Sequence, residues 1–487
     1  MKKHAEHLFL VGLIFVSFLL RFPSLFEPYW YGDEGIYQVI GRATRSGALL
    51  YQDIWDNKPP ALYLLYALVN GDQFWARLLS LLFLLGGVLA FYFLAKKLFT
   101  KLSTVISSTV FFALLFSLPL LEGNIANAEN FMLLPIILAA LLVFNYALYP
   151  KPSTLILAGF LLSLAFLTKI VAIFDLTAFS LFLVFIYSWK GKKATSEVKK
   201  FAKKVWPLVA GFILPIFLTV LVFFVQGSLK DFFSAAFSQN VGYVGAENKL
   251  FIPQGLLILK LAILGLALWL LFWKRKVISK QQLFILLWLA FSLFNLFFAG
   301  RPWTHFLLVL LPSFALLVGL FLEEKRLRFL YALSILIILL LIPNNFWIYG
   351  KTPWYYQNFI SFVKGDKPAF AYQDFFAPHV KRDYLLAQFL RGKLTDKDNV
   401  FIWGDNAQLY MLVGKLPPGR YSVAYHITFY PQAVEETKQA IKQKKPKYIV
   451  AIRDIAGYEE LFIGYKQSFL IEGASIYERS PYLSEAR

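Results

Sequence analysis

Phe131-Met132-Leu133-Leu134-Pro135-Ile136-Ile137-Leu138-Ala139-Ala140-Leu141-Leu142-Val143-Phe144-Asn145-Tyr146-Ala147-Leu148 carries no charge from end to end. A helix needs about 20 such residues, at a rise of about 1.5 Å each, to cross the hydrocarbon core of a bilayer. Working outward, ten more stretches are long and predominantly apolar: 7–21, 74–95, 103–121, 154–169, 171–189, 206–225, 255–273, 281–299, 304–322 and 328–343. The pair 154–169 and 171–189 predicts a tight hairpin or a less regular pair. The composition agrees. Of 487 residues 58% are hydrophobic and 18% aromatic, and the mean hydropathy is +0.59. This is the composition of a polytopic α-helical membrane protein of about eleven transmembrane helices.

The net charge of +20 invites a nucleic-acid reading, but its placement argues against one. Basic residues gather in alternate loops: Lys2 and Lys3; Lys96, Lys97 and Lys101; Lys151; seven lysines from Lys190 to Lys204; Lys274, Arg275, Lys276 and Lys280; and Lys325, Arg326 and Arg328. Cytoplasmic loops carry this excess. The run 190–204 reads as a solvated loop beside anionic lipid. Arg21-Phe22-Pro23 follows the first span in place of a small-residue cleavage site, so that span reads as an uncleaved anchor. With no cysteine, no disulfide framework and no thiolate chemistry exist.

This charge pattern puts the N-terminus in the cytoplasm. Loops 22–73, 122–130, 226–253 and 300–303, and everything from about 345 onward, then lie outside. Asp33, Glu34, Asp53, Asp56, Lys58, Glu122, Glu129, Lys169 and Arg301 fall on that one face, with His305 just inside the next span. Ionisable groups at membrane depth are costly and are candidates for function by default. The division is a membrane domain, 1–344, and an extracytoplasmic α/β domain, 345–487. In the latter, strands at 400–403 and 448–452 alternate with helices at 406–413 and 432–444. No glycine-rich phosphate loop, internal repeat or low-complexity linker is present.

The first outer loop is the richest segment. It contains Tyr31-Gly32-Asp33-Glu34-Gly35 and Tyr51-Gln52-Asp53-Ile54-Trp55-Asp56-Asn57-Lys58-Pro59-Pro60. Asp33 and Glu34 are either solvated acids or, flanked by Trp30, Tyr31 and Tyr37, a partly buried general base and its neighbour. A helix over 59–70, capped by Asp56 or Asn57, follows from prolines at its first turn. Lys58 at that N-terminus reads as an anion site or as a snorkelling lysine. Glu122 and Glu129 are cap acids or site residues. Lys169 is an interfacial anchor or a site cation, and Asp175 is a possible partner for it. Arg301 suits a phosphate oxygen pair. His305 is a satisfied core residue or a site residue. No His/Cys metal spacing exists.

Taken in order, the Asp-Glu pair of the first loop, Asp56-x-Lys58-Pro59-Pro60, Leu167-Thr168-Lys169 and Arg301-x-x-x-His305 resemble the GT-C superfamily of membrane glycosyltransferases. The branch resembled is the protein O-mannosyltransferase and aminoarabinose-transferase-like group, bacterial family-39-like. Trp403-Gly404-Asp405 and Leu416-Pro417-Pro418-Gly419-Arg420-Tyr421 are similar to its outer domain. The resemblance implies transfer of a hexose or pentose, with inversion, from a polyprenyl-phosphate donor to an acceptor glycan, lipid or protein hydroxyl outside the cytoplasm. It implies a multi-pass protein of the plasma membrane serving cell envelope glycosylation. It also implies Asp33, with Glu34, as catalytic acid pair, Lys58 as donor-phosphate contact, and Lys169 and Arg301 as further cations there. Asp56, Glu122, Glu129 and His305 are further candidates. Asn57 stands where that branch has an acid, so a divalent metal is possible but unassigned. The tryptophan-rich motif of oligosaccharyltransferases is absent, which argues against transfer to asparagine.

The residues support that chemistry by themselves. Displacement at an anomeric carbon needs a base for the incoming hydroxyl and positive charge where the phosphate leaves. A transporter or flippase of lipid-linked sugars is the alternative. It predicts inverted repeats and helix breaks near the midplane, and neither is seen. A non-catalytic scaffold leaves the Asp33–Lys58 segment unexplained.

Overall fold

The computed structural model describes residues 2–187, 194–239, 256–298, 300–430 and 432–480. Two compact units form: residues 1–22, 78–226 and 238–352 make the first, and 23–77, 227–237 and 353–487 the second.

The first unit is a helix bundle. In the described residues, each of the eleven predicted spans is helical. Among the described residues, nine helices are long and apolar enough to cross a membrane, and Ala128–Leu148, which contains the uncharged stretch 131–148, is one of them. Leu102–Ser117 and Pro152–Thr168 are shorter, at 16 and 17 residues. The chain is a multi-pass membrane protein with a small sheet-bearing region near its C-terminus. Pro152–Thr168 joins Ile173–Tyr187 through Lys169 and one 3-10 turn, and packs chiefly against Ala128–Leu148 and Ala194–Val225. Part of the basic run expected as a loop is helical, because Ala194–Val225 begins well before position 206; residues 190–193 lie outside the described residues.

Lipid gives helices no hydrophobic reason to associate, so close packing must do it. Pro152–Thr168 and Ala194–Val225 meet at glycines. A Cβ on Gly159 would sit 2.0 Å from the Leu208 carbonyl oxygen, and one on Gly211 2.0 Å from that of Ile156. Aromatic rings fill other gaps: Phe91 stacks on Phe112 with centroids 4.4 Å apart, and Phe179 on Phe284 at 5.5 Å. Helix Leu257–Lys274 buries none of its residues and exposes Ile263, Leu266 and Trp269, as a lipid-facing helix does.

In the second unit, part of the segment expected as a polar loop is helical, Gly32–Arg45, and the helix expected over 59–70 is present as Pro60–Leu68. The first is buried on all sides along its middle, at every residue from Glu34 to Gly41. Ile36, Tyr37, Val39, Ile40 and Ala43 are buried while Arg45 and Ser46 are exposed. The carboxylates made the segment look like a loop, although acids in a first turn favour a helix. The second helix is capped by Pro59 with no side-chain cap, so neither Asp56 nor Asn57 has the expected role.

The sheet has four strands: β1 Val400–Trp403, β2 Tyr448–Ala451, β3 Tyr465–Ile471 and β4 Ala474–Arg479, in the order β1-β2-β4-β3. β1 and β2 are parallel and wholly buried, as their continuous apolar runs predicted. Helices Gln408–Val413 and Ala433–Lys444 stand as expected. The β3–β4 hairpin escaped the sequence because β3 is mostly exposed and turns at Gly473, where φ is +80°. Gly35 lets helix Gly32–Arg45 approach Gln408, whose backbone nitrogen lies 2.6 Å from where a Cβ would be. Trp55 donates its N–H to the Arg420 carbonyl at 3.0 Å, and Arg420 donates to the Tyr51 carbonyl at 2.6 Å. The first predicted outer loop therefore folds with the C-terminal region.

Candidate active site

The second unit brings Asp33, Tyr37, Asp56, Lys58, Tyr63 and His426 into one neighbourhood. Asp33 is half-buried in the first turn of helix Gly32–Arg45, and Tyr37, one turn on, donates its hydroxyl to Asp33 Oδ2 at 3.1 Å. The same ring supports Lys58, whose ammonium lies 5.0 Å from its centroid. Asp56 is 1% exposed. Its Oδ2 accepts from the Tyr63 hydroxyl at 2.7 Å and lies 3.7 Å from Lys58 Nζ. Its Oδ1 is 3.5 Å from His426 Nε2. Burial, then the charge of Asp56, holds the Tyr63 phenol well above its usual pKa, so it stays a donor. Burial pushes the His426 imidazole down to about 4, against the pull of Asp56, so the ring is neutral near pH 7. Asp53 does structural work: its carboxylate accepts the Leu49 N–H at 2.8 Å.

Glu34 has a partner the sequence did not announce. Arg77 donates from Nε to Glu34 Oε1 at 3.1 Å and lies 2.5 Å from Oε2 through NH2. Its NH1 is 2.5 Å from Glu27 Oε2. Glu27 also accepts from Trp30 at 2.7 Å and from the Tyr355 hydroxyl at 2.6 Å. Both glutamates and the arginine are buried. The forked guanidinium fits a carboxylate edge to edge, which makes such pairs strong and directional. A usable signal existed: Arg77 is a charge at the head of an apolar span. His426 left none, since a lone histidine has no telling spacing.

The first unit holds a separate group. Lys169 ends helix Pro152–Thr168 and is in direct contact with buried Glu129, in the first turn of Ala128–Leu148. Lys169 also lies over the Phe306 ring, 4.5 Å from its centroid. His305 Nδ1 is 3.1 Å from Glu122 Oε2, and its Nε2 is 3.9 Å from Glu129. Glu122 sits in the left-handed region, φ 57°, which ends the turn Pro119–Leu121. Arg301 is half-exposed in the short turn after Gly300. Asp175 does not pair with Lys169; it accepts from Trp288 Nε1 at 2.7 Å. A buried indole N–H needs an acceptor, and a nearby carboxylate supplies it.

Among the described residues, no group of three or more His, Cys, Asp or Glu is placed to hold a metal ion.

Residues 58–223 match the family described as dolichyl-phosphate-mannose-protein mannosyltransferase. The crystal structure of ArnT from Cupriavidus metallidurans bound to undecaprenyl phosphate superposes with a TM-score of 0.62 at 15% identity. That superposition covers 98% of this chain and 99% of that one. The fold is the GT-C fold. The apo form of ArnT agrees, with a TM-score of 0.60, 15% identity and coverage of 99% and 100%. The archaeal oligosaccharyltransferase AglB from Archaeoglobus fulgidus, in complex with an inhibitory peptide and a dolichol-phosphate, gives 0.50 at 12% identity. It is covered over 75% of its length and 99% of this chain. No curated protein matches the chain in sequence. The predicted GT-C architecture, membrane helices followed by a small α/β region, is thus borne out.

Proposed function

We propose that this GT-C protein is an inverting glycosyltransferase that moves a sugar from a polyprenyl-phosphate donor to a hydroxyl acceptor. The observation that carries the reading is the match along nearly the whole of both chains to ArnT bound to undecaprenyl phosphate. The family match over 58–223 begins at Lys58 itself and adds to it. No observation favours the transporter or flippase reading.

The chemistry assigns the roles. An acceptor hydroxyl oxygen attacks the anomeric carbon; the new C–O bond forms as the bond to the phosphate oxygen breaks. The hydroxyl proton passes to Asp33, a carboxylate half-buried and steadied by Tyr37. The polyprenyl phosphate leaves with its negative charge, and Lys58 stabilises it. Glu34, clamped by Arg77, is the fixed neighbour of the base. Arg301 is a second candidate for the phosphate by residue type. Lys169 is a further one, but its first partner is Glu129. The acceptor is a glycan, a lipid or a protein hydroxyl.

The reading includes a side. We place the N-terminus in the cytoplasm and the site and residues 345–487 outside the plasma membrane, from the basic loops. The chain lacks cysteine, so single cysteines report cleanly. Ser46→Cys should react with an impermeant thiol reagent on intact cells and Ser196→Cys should not; reversed labelling overturns the sidedness. Transfer itself is tested with purified protein in detergent, a panel of undecaprenyl-phosphate hexoses and pentoses, and product anomer analysis. Retained anomeric configuration, or tight binding of none of the donors, would sink the assignment.

A further inference from the structure

Buried Asp56 is an anion placed beside the lysine proposed to meet the donor phosphate, and so competes with that phosphate. At 3.7 Å from its Oδ2, the Lys58 ammonium is beyond a direct hydrogen bond to it. Two groups hold the carboxylate where it is. Tyr63 donates to Oδ2 at 2.7 Å from within helix Pro60–Leu68. On the other side, His426 faces Oδ1 at 3.5 Å from helix Ala424–Phe429. Among the described residues Oδ1 accepts no hydrogen bond, and the imidazole faces it at 3.5 Å. The carboxylate opposite selects the tautomer with hydrogen on Nε2.

His426 cannot wander. It is 3% exposed, meets Trp55 edge-on with centroids 4.9 Å apart, and meets Tyr425 at 4.3 Å. Trp55 is in turn tied to the Arg420 carbonyl. Because burial keeps the ring neutral, it offers Asp56 a dipole and leaves Lys58 as the nearby full positive charge.

We infer that His426 is a positioning residue: it draws the Asp56 carboxylate away from Lys58 and so sets the affinity of Lys58 for the donor phosphate. The inference rests on the glycosyltransferase reading, in which Lys58 meets that phosphate. It gives the C-terminal region a part in donor recognition without contact to the donor.

The test is binding of undecaprenyl phosphate and of undecaprenol to the purified full chain in detergent. His426→Ala should weaken the phosphate about 5- to 10-fold, a coupling of the size neighbouring groups show, and leave the alcohol unchanged. His426→Gln, whose amide can donate to Asp56, should restore most of the loss. In an Asp56→Asn background, His426→Ala should have no further effect. Equal loss for both lipids, or an undiminished effect in the Asp56→Asn background, overturns the inference. So does unchanged phosphate binding by His426→Ala while Lys58→Ala still weakens it; that result spares the donor-phosphate reading. If Lys58→Ala itself fails to discriminate phosphate from alcohol, the reading beneath the inference fails with it. Should His426→Ala not fold, His426→Gln and Asp56→Asn carry the comparison: Asp56→Asn must bind phosphate more tightly than the parent, and a weaker result is fatal.

Discussion

Lys58 stands 3.7 Å from Asp56, whereas Lys169 is in direct contact with Glu129. Both lysines are mostly buried and both lie beside a buried carboxylate, yet their settings differ. Lys58 rests on the face of Tyr37, and its carboxylate is held by a phenol and faced by an imidazole. Lys169 closes on its carboxylate. A buried pair in direct contact meets the large cost of desolvating both charges. At 3.7 Å, Lys58 and Asp56 are farther apart than a direct hydrogen bond. The sequence offered both lysines as cations for the phosphate, Lys169 as the weaker match. The distances separate a lysine that stands off from its neighbouring carboxylate from one in direct contact with it.

The largest expected effect tests the base that the Lys58 neighbourhood serves. Asp33→Asn keeps the shape and the bond from Tyr37 but cannot take a proton. Turnover should fall about 10²- to 10⁴-fold with donor binding largely kept. Steady-state turnover and equilibrium binding of polyprenyl phosphate check it together. Near-normal turnover would remove Asp33 from the chemistry and turn attention to Glu34.

The next effect is on folding. Arg77 answers two carboxylates, Glu27 and Glu34, in a buried setting. Arg77→Ala leaves both without their countercharge, and breaking a buried pair costs about 3–5 kcal/mol. Chemical denaturation of the purified protein should show a loss of that order, and Arg77→Lys should recover only part because it lacks the fork. A loss under about 1 kcal/mol, the size of an exposed pair, would mean the cluster is hydrated in solution.

These two sites also mark what the sequence could disclose. The spans were legible because eleven long apolar runs have few other readings, and each proved helical. Strands β1 and β2 were legible as short buried runs. Helix Gly32–Arg45 was misread as loop because it is buried continuously from Glu34 to Gly41, polar residues included, and so shows no apolar stripe of helical period. Asp33 and Lys58 stood out in the chain, but Glu27, Arg77 and His426 did not. A long-range partner has no local spacing: Glu27 and Tyr355 meet across 328 positions. Asp56 was noticed as a cap candidate, and only the fold revealed Tyr63 and His426 around it.

Lys58→Ala comes third. It should weaken undecaprenyl phosphate roughly 10- to 100-fold, the worth of a charge-assisted contact, and leave undecaprenol nearly unchanged. Lys58→Arg should recover part, since a flat guanidinium replaces a point charge on a flexible stem. Equal loss for both lipids would make Lys58 a support of its own segment and erase the contrast with Lys169.

The smallest expected effect is the sharpest test of the comparison. Lys169→Ala alone is a poor probe, because it strands the buried Glu129 carboxylate and confounds binding with folding. Lys169→Met with Glu129→Gln removes both charges and keeps the volumes close. Replacing a whole buried pair with neutral groups is often nearly neutral for stability. His305, 3.9 Å from Glu129, keeps Glu122 as its nearer acid at 3.1 Å, so the rest of the group retains a partner. If Lys169 only neutralises Glu129, the ratio of phosphate to alcohol affinity should change less than about twofold, a shift of under about 0.5 kcal/mol. A drop comparable to that of Lys58→Ala would show that direct contact with Glu129 does not keep Lys169 from the phosphate. The distinction between the stand-off lysine and the contacting one would then have to give way to a reading in which both serve the leaving group.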